Sequence, residues 1–263
     1  MSDDETLVLV ASGVVAAITL WRALVPTMSL SSLHAPTATR RWVWVAFALA
    51  LVVVHGTLAT ISASDVRTSV EYTFFYDVMG LAWLGTTVAL FHLLGLSLRD
   101  DVLERRNPAA LAAFAGATIG AGFAFAGGNV GDGPGWWCVV AASGLATILL
   151  AGSWLGVHLV GGAADAITID RDVGSGVRVG ALLIAVGAIG GRAAAGDWVS
   201  LSHTIETFVV AAWPALVLVV LAGAVERVLA RGVPSRSSAV AILAASVYLA
   251  SAGVVVAAQG LPA

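Results

Sequence analysis

The sequence predicts an all-α, polytopic membrane protein of eight transmembrane helices, and three observations carry that prediction. Of the 263 residues 59% are hydrophobic and only 11% charged, with a mean hydropathy of +0.94, whereas a soluble domain is about half apolar and about a quarter charged. So much apolar surface cannot be hidden behind water-facing residues. Eight apolar stretches recur along the chain, each near the roughly 20 residues needed to cross the hydrocarbon layer. Arginines gather in alternate connections between them.

The spans are expected at 6–25, 43–62, 74–98, 108–127, 136–160, 177–195, 205–229 and 238–258. The first follows MSDDET, an acidic start unlike the basic one of a cleavable signal peptide, so it is read as a retained helix. Trp42 and Trp44 open the second behind Arg40 and Arg41, and Tyr72, Phe74, Phe75 and Tyr76 open the third. Asn107–Pro108 offers the fourth a cap and then a proline where a missing N–H costs nothing. Trp136 and Trp137 open the fifth. The sixth is the weakest because it carries Arg192; Asp170 and Asp172 favour its N-terminal dipole and Trp198 follows it. Ser235 or Ser237 can cap the eighth. The aromatic rings fall at span boundaries, where amphipathic rings prefer the headgroup zone.

With the N-terminus outside, eleven arginines face the cytoplasm: Arg22, Arg40, Arg41, Arg99, Arg105, Arg106, Arg171, Arg178, Arg227, Arg231 and Arg236. Only Arg67 and Arg192 then lie outside. Basic residues in short loops hold those loops in the cytoplasm, so both termini are expected outside a cell membrane, plasma or inner.

The arginines also suggest a repeat. Arg40, Arg105, Arg171 and Arg236 introduce the even-numbered spans at steps of 65, 66 and 65 residues. A single transmembrane domain over 1–263 is therefore expected, made of parallel hairpins at 6–62, 74–127, 136–195 and 205–258 around a common axis. Chance similarity of loop lengths is the competing explanation.

Within the spans, small residues recur four apart: Ala112, Gly116, Gly120 and Ala124, then Gly152 with Gly156, Gly176 with Gly180, and Gly187 with Gly191. Such stripes let helix backbones approach where no hydrophobic drive exists between helices. Packing is their plain meaning; lining a pore is the sharper one.

Ionisable groups inside spans are functional candidates by default. His92 and His158 lie 66 residues apart, each thirteen before its repeat arginine. Such a pair could share a proton, a metal or an anionic headgroup, or simply bond to nearby carbonyls. His55 stands near the middle of the second span, and Arg192 has Asp77 and Glu206 at similar depth as possible partners.

Other chemistry is excluded or unsupported. One cysteine, Cys138, forbids an internal disulfide, and the absence of lysine forbids a retinal Schiff base. No nucleophile elbow, Walker loop, HExxH or dinucleotide fingerprint occurs, and GGNVGDGPG at 127–135 lacks the strand–loop–helix setting of a phosphate cradle.

VLERRNPAALAAFAGATIGAGFAFAGG, a further span, and ITIDRDVGSGVRVGALLIAVGAIGGRAAAGDW carry a resemblance over about 88–200. That region resembles domain-of-unknown-function family 350, the YjfL-like inner-membrane proteins, with a polar knot, an Ala–Ala helix and a glycine-rich face in tandem. Asn107, Ala109 and Ala110 match the first knot; the second has Asp172–Val173–Gly174 where Asn–x–Ala is usual. The resemblance implies a small helical membrane protein of undefined biochemistry and supplies no catalytic residue.

The expected function is non-enzymatic: forming or supporting a permeation pathway for an ion or small solute. A scaffold for an envelope-stress or partner complex is the second reading. A haem or metal redox protein using His55, His92 and His158 is the third. The cofactor is unknown; the expected partners are the lipid bilayer, a second copy or other membrane proteins, and not nucleic acid.

Overall fold

A computed structural model of the chain describes residues 2–28, 37–230 and 238–260. These form α1 (Asp3–Met28), α2 (Thr37–Thr60), α3 (Ser64–Thr68), α4 (Val70–Leu93), a π-helical turn (Leu98–Glu104), α5 (Pro108–Gly128), α6 (Trp136–Gly161), α7 (Ala163–Thr168), α8 (Val173–Ala194), α9 (Leu201–Ala230) and α10 (Ser238–Gln259). No strand occurs among the described residues. Seven helices, α2, α4, α5, α6, α8, α9 and α10, are long and apolar enough to cross a membrane, the mark of a multi-pass membrane protein. The first predicted span, α1, is a continuous helix of 26 residues but is not one of those seven.

Local chemistry sets the boundaries. Asn107 Oδ1 accepts from the N–H groups of Ala109 and Ala110, with Pro108 in the first turn of α5. Asp172 does the same for Gly174 and Ser175 at the start of α8. Each cap is preceded by a non-glycine residue in the left-handed region, Arg106 at φ 51° and Arg171 at φ 56°. The backbone equivalents therefore stand 65 residues apart as Arg106 with Arg171 and Asn107 with Asp172, one residue from the expected pairing of Arg105 with Arg171. Arg236 and the proposed caps Ser235 and Ser237 lie outside the described residues. The third predicted span ends at Leu93 instead of 98, because Gly95 turns the chain at φ 88° before the π-helical turn.

The two most enclosed spans are α5 and α8, which pack along one another at the centre. α2 lies on the outer side of α5, and α10 on the outer side of α8. Behind this row, α6 packs against α5, α8 and α9, while α1 lies along α4. The even-numbered spans thus form a row instead of ringing an axis, and α10 packs on α8 far more than on α9, its neighbour in sequence.

The seam between α5 and α8 explains the row. A methyl built on Gly116 would overlap the backbone of Gly180, one on Gly187 the backbone of Gly120, and one on Gly127 the backbone of Gly191. Gly176 meets Ala109, Gly180 meets the Ala112 carbonyl, and Gly191 lies against Phe123 and Ala124. Only residues without side chains permit that approach. Gly156 sits 3.0 Å from Val219 by the same construction, but Gly152 is exposed with nothing within 4 Å. The expected contact stripe on α6 is corrected there: Gly152 faces away from every neighbour.

Contacts between distant segments identify the two ends. At one, Tyr72 Oη donates to Glu5 at 3.4 Å, Trp136 Nε1 donates to Asp4 at 3.3 Å, and the Asp132 amide donates to Asp197 at 2.8 Å. At the other, Trp154 Nε1 donates to the Leu94 carbonyl at 3.0 Å and Asn107 Nδ2 to the Ile167 carbonyl at 2.7 Å. The first end is acidic; Arg99, Arg105, Arg106, Arg171 and Arg227 gather at the second.

Candidate functional site

At the arginine-rich end, the first turns of α8 meet the last turns of α9. Asp172, Ser175 and Arg178 follow at helical spacing, and Glu226 reaches them from α9. Arg178 is fully buried and Glu226 is 4% exposed. Arg178 donates through Nε to Glu226 Oε1 at 2.5 Å and through Nη2 to Glu226 Oε2 at 2.9 Å. This two-point fork suits the planar guanidinium, and a lysine ammonium could not reproduce it.

Ser175 joins the two acids. Its Oγ lies 2.8 Å from Asp172 Oδ2 and 2.7 Å from Glu226 Oε2, and accepts from Arg178 Nη2 at 2.9 Å. One hydroxyl proton serves one carboxylate at a time. Asp172 Oδ2 is 3.8 Å from the guanidinium, so the cap of α8 also faces the charge. Gly161 and Gly223 allow the close passage of α6 past α9, since a side chain on Gly161 would meet Glu226 and the Gly223 carbonyl. Arg178 Nη1 and Tyr248 Oη, on α10, are buried without a hydrogen-bond partner.

Beside this pair opens a cavity of about 950 Å³. Asp165, Asp170, Asp172 and Glu226 line it, and Arg171 is the one basic residue on its wall among the described residues. Glu226 and Asp172 are engaged by Arg178 and Ser175, while Asp165 and Asp170 are exposed carboxylates. A positively charged guest suits such a wall.

Of the residues singled out from sequence, Arg171 and Asp172 reach this cavity, and the candidate polar residues within the spans are placed elsewhere. His55 Nδ1 lies 2.9 Å from Asp77 Oδ2, so Asp77 serves α2 and not Arg192. Arg192 donates to the carbonyls of Gln259 and Gly260, which ties α8 to the end of α10; Glu206 is exposed and not its partner. His92 is exposed, and His158 is half-buried with its Nδ1 enclosed and unpartnered. No hydrogen bond joins these two histidines. Among the described residues no three His, Cys, Asp or Glu side chains converge as a metal site. Arg105 pairs with Asp101 at 3.3 Å, and Arg40 and Arg171 stand at the arginine-rich end.

Arg178 and Glu226 were not among the sequence candidates. A signal existed: Glu226 interrupts the apolar run LVLVVLAGAVERVLA, and a carboxylate so placed calls for a partner. Arg178 was counted with the cytoplasmic arginines because the sixth span was expected to start at 177, which set it at the membrane edge.

Comparison with protein-family models, with curated proteins and with solved structures gives no match for this chain.

Proposed function

We propose that the protein is a non-enzymatic, eight-span membrane protein that forms or supports a permeation pathway for a cation or small cationic solute. The carrying observation is the cavity lined by Asp165, Asp170, Asp172 and Glu226 at the ends of α7, α8 and α9. Carboxylates there raise the local concentration of cations, and Glu226, held from behind by the buried Arg178, lies on its wall. In this reading α1 also crosses the membrane, which brings the spans to eight. Its support is that α1 lies along α4, with Thr19 against Gly85 and Glu5 beside Tyr72.

The arginine-rich end faces the cytoplasm in this reading, by the bias of basic residues in short connections, and both termini lie outside. The equal caps and left-handed residues 65 apart support descent of α5 and α8 from one repeated unit.

Proteoliposomes carrying the protein are expected to pass monovalent or divalent cations faster than protein-free liposomes. Asp165→Asn with Asp170→Asn should lower that flux several-fold while leaving the melting temperature unchanged, since both are exposed. Cation flux equal to that of empty liposomes would overturn the reading.

One observation favours the scaffold reading instead. The α5–α8 seam is closed by backbone contact along its length, so no path runs between the central helices. Absent flux together with a membrane partner recovered in gentle detergent supports that alternative.

A further inference from the structure

A second cavity, of about 740 Å³, opens at the arginine-rich end between α1, α4 and the π-helical turn, away from the acidic one. α1 and α4 touch where Thr19 meets Gly85. Further along both helices, Arg22 and His92 come to the cavity, and Arg99 joins them from the π-helical turn. All three are exposed. Ile18, Val88 and Leu103 give it an apolar side, and Thr19, Ser97 and Asp100 also stand on its wall.

Two acids stand near this rim, and neither is in an ion pair with Arg22 or His92 among the described residues, although Asp100 keeps its charge. Asp100, also on the wall, accepts from Ser97 Oγ at 2.9 Å. Glu104 accepts from Arg99 Nε at 2.9 Å, which leaves the two terminal amino groups of Arg99 free. Arg22 has no ion-pair partner among the described residues. A seven-residue π-helical turn is itself uncommon, and such turns recur at functional sites. Here it sets Leu103 on the wall while holding Arg99 on the rim.

We infer that this cavity holds an anionic phospholipid, with the phosphate at Arg22, Arg99 and His92 and the start of an acyl chain against Ile18, Val88 and Leu103. A basic rim above an apolar floor matches an amphiphile; a free phosphate would leave the floor unused. Guanidinium groups bind phosphate oxygens through paired donors, and basic pockets between spans on the cytoplasmic side take lipid headgroups. The inference is independent of the permeation reading, because it uses other helices and the opposite charge.

Trp21, 68% exposed and on the cavity wall, supplies the probe. The full chain is placed in vesicles containing phosphatidylglycerol or phosphatidylcholine with brominated acyl chains. The Trp21-dependent quenching is the difference between wild type and Trp21→Phe. Phosphatidylglycerol is expected to quench it at about tenfold lower mole fraction than phosphatidylcholine. Arg22→Gln with Arg99→Gln should abolish that preference, while Arg106→Gln with Arg227→Gln, an equal loss of two charges at the same end, keeps it. Retention of much of the preference by Arg22→Lys with Arg99→Lys confirms the charge requirement. Equal quenching by both lipids, or an unchanged preference in the double glutamine variant, overturns the site. Release of the preference by millimolar glycerol phosphate overturns the lipid assignment in favour of a soluble phosphate ester.

Discussion

Arg178 and Glu226 are each unaffordable alone in a dry interior, and their fork makes them mutually dependent. Arg178→Met or Glu226→Met is expected to cost about 3–5 kcal/mol, because each leaves an uncompensated buried partner. The double variant Arg178→Met with Glu226→Met should recover most of that loss. Unfolding free energies in detergent would measure the cycle, and simple additivity would show that the pair is not coupled. The caps give a finer contrast. Asp172→Asn keeps an acceptor for Gly174 and Ser175, so stability should change by less than about 1 kcal/mol. Asn107→Asp keeps its cap too but loses the Nδ2 donor to the Ile167 carbonyl, and should cost about 1–3 kcal/mol. The Asn107 cap was legible from the Asn–Pro pair. The bond to Ile167 joins residues 60 apart, a proximity that no local pattern encodes. Arg178 was misread for a related reason: Asp172 starts α8 four residues earlier than the apolar run suggested.

Helices were easier to read than their partners. The four-residue spacing of Ala112, Gly116, Gly120 and Ala124 marked a contact face on α5, but spacing says nothing about which helix fills it. The structure sets α8 there and gives the face its test. Gly116→Ala and Gly180→Ala insert a methyl into a facing backbone, so each should destabilise by more than the roughly 1–3 kcal/mol of ordinary overpacking. Gly152→Ala, which enters open space, should fall within about 0.5 kcal/mol of wild type. Thermal melts of the three proteins decide it; equal losses at all three positions would refute the seam. The π-helical turn over Leu98–Glu104 was not legible, since LRDDVLE reads as a charged connection; at its start Asp101 accepts from the Ser97 amide.

For the whole molecule, the membrane class and the segregation of charge followed from composition and arginine placement alone. The row of α2, α5, α8 and α10 did not, because equal loop lengths suit a ring and a row alike; the backbone contact at the seam selects the row. The proposed orientation has a direct check in a Cys138→Ala background. An impermeant maleimide applied to intact cells is expected to label Val199→Cys, at the acidic end, and to spare Arg227→Cys, at the other; the reverse pattern would invert the topology. The seam between α5 and α8 also bears on how such a chain changes over generations. Every replacement for glycine is larger, so no first step away from it at Gly116, Gly180 or Gly187 is small, and a later compensating change has no viable intermediate to act on. α2 and α10, at the open ends of the row, meet no such barrier. Lineages descending from this chain should therefore diverge from the edges of the row inward, with its centre the last part to drift.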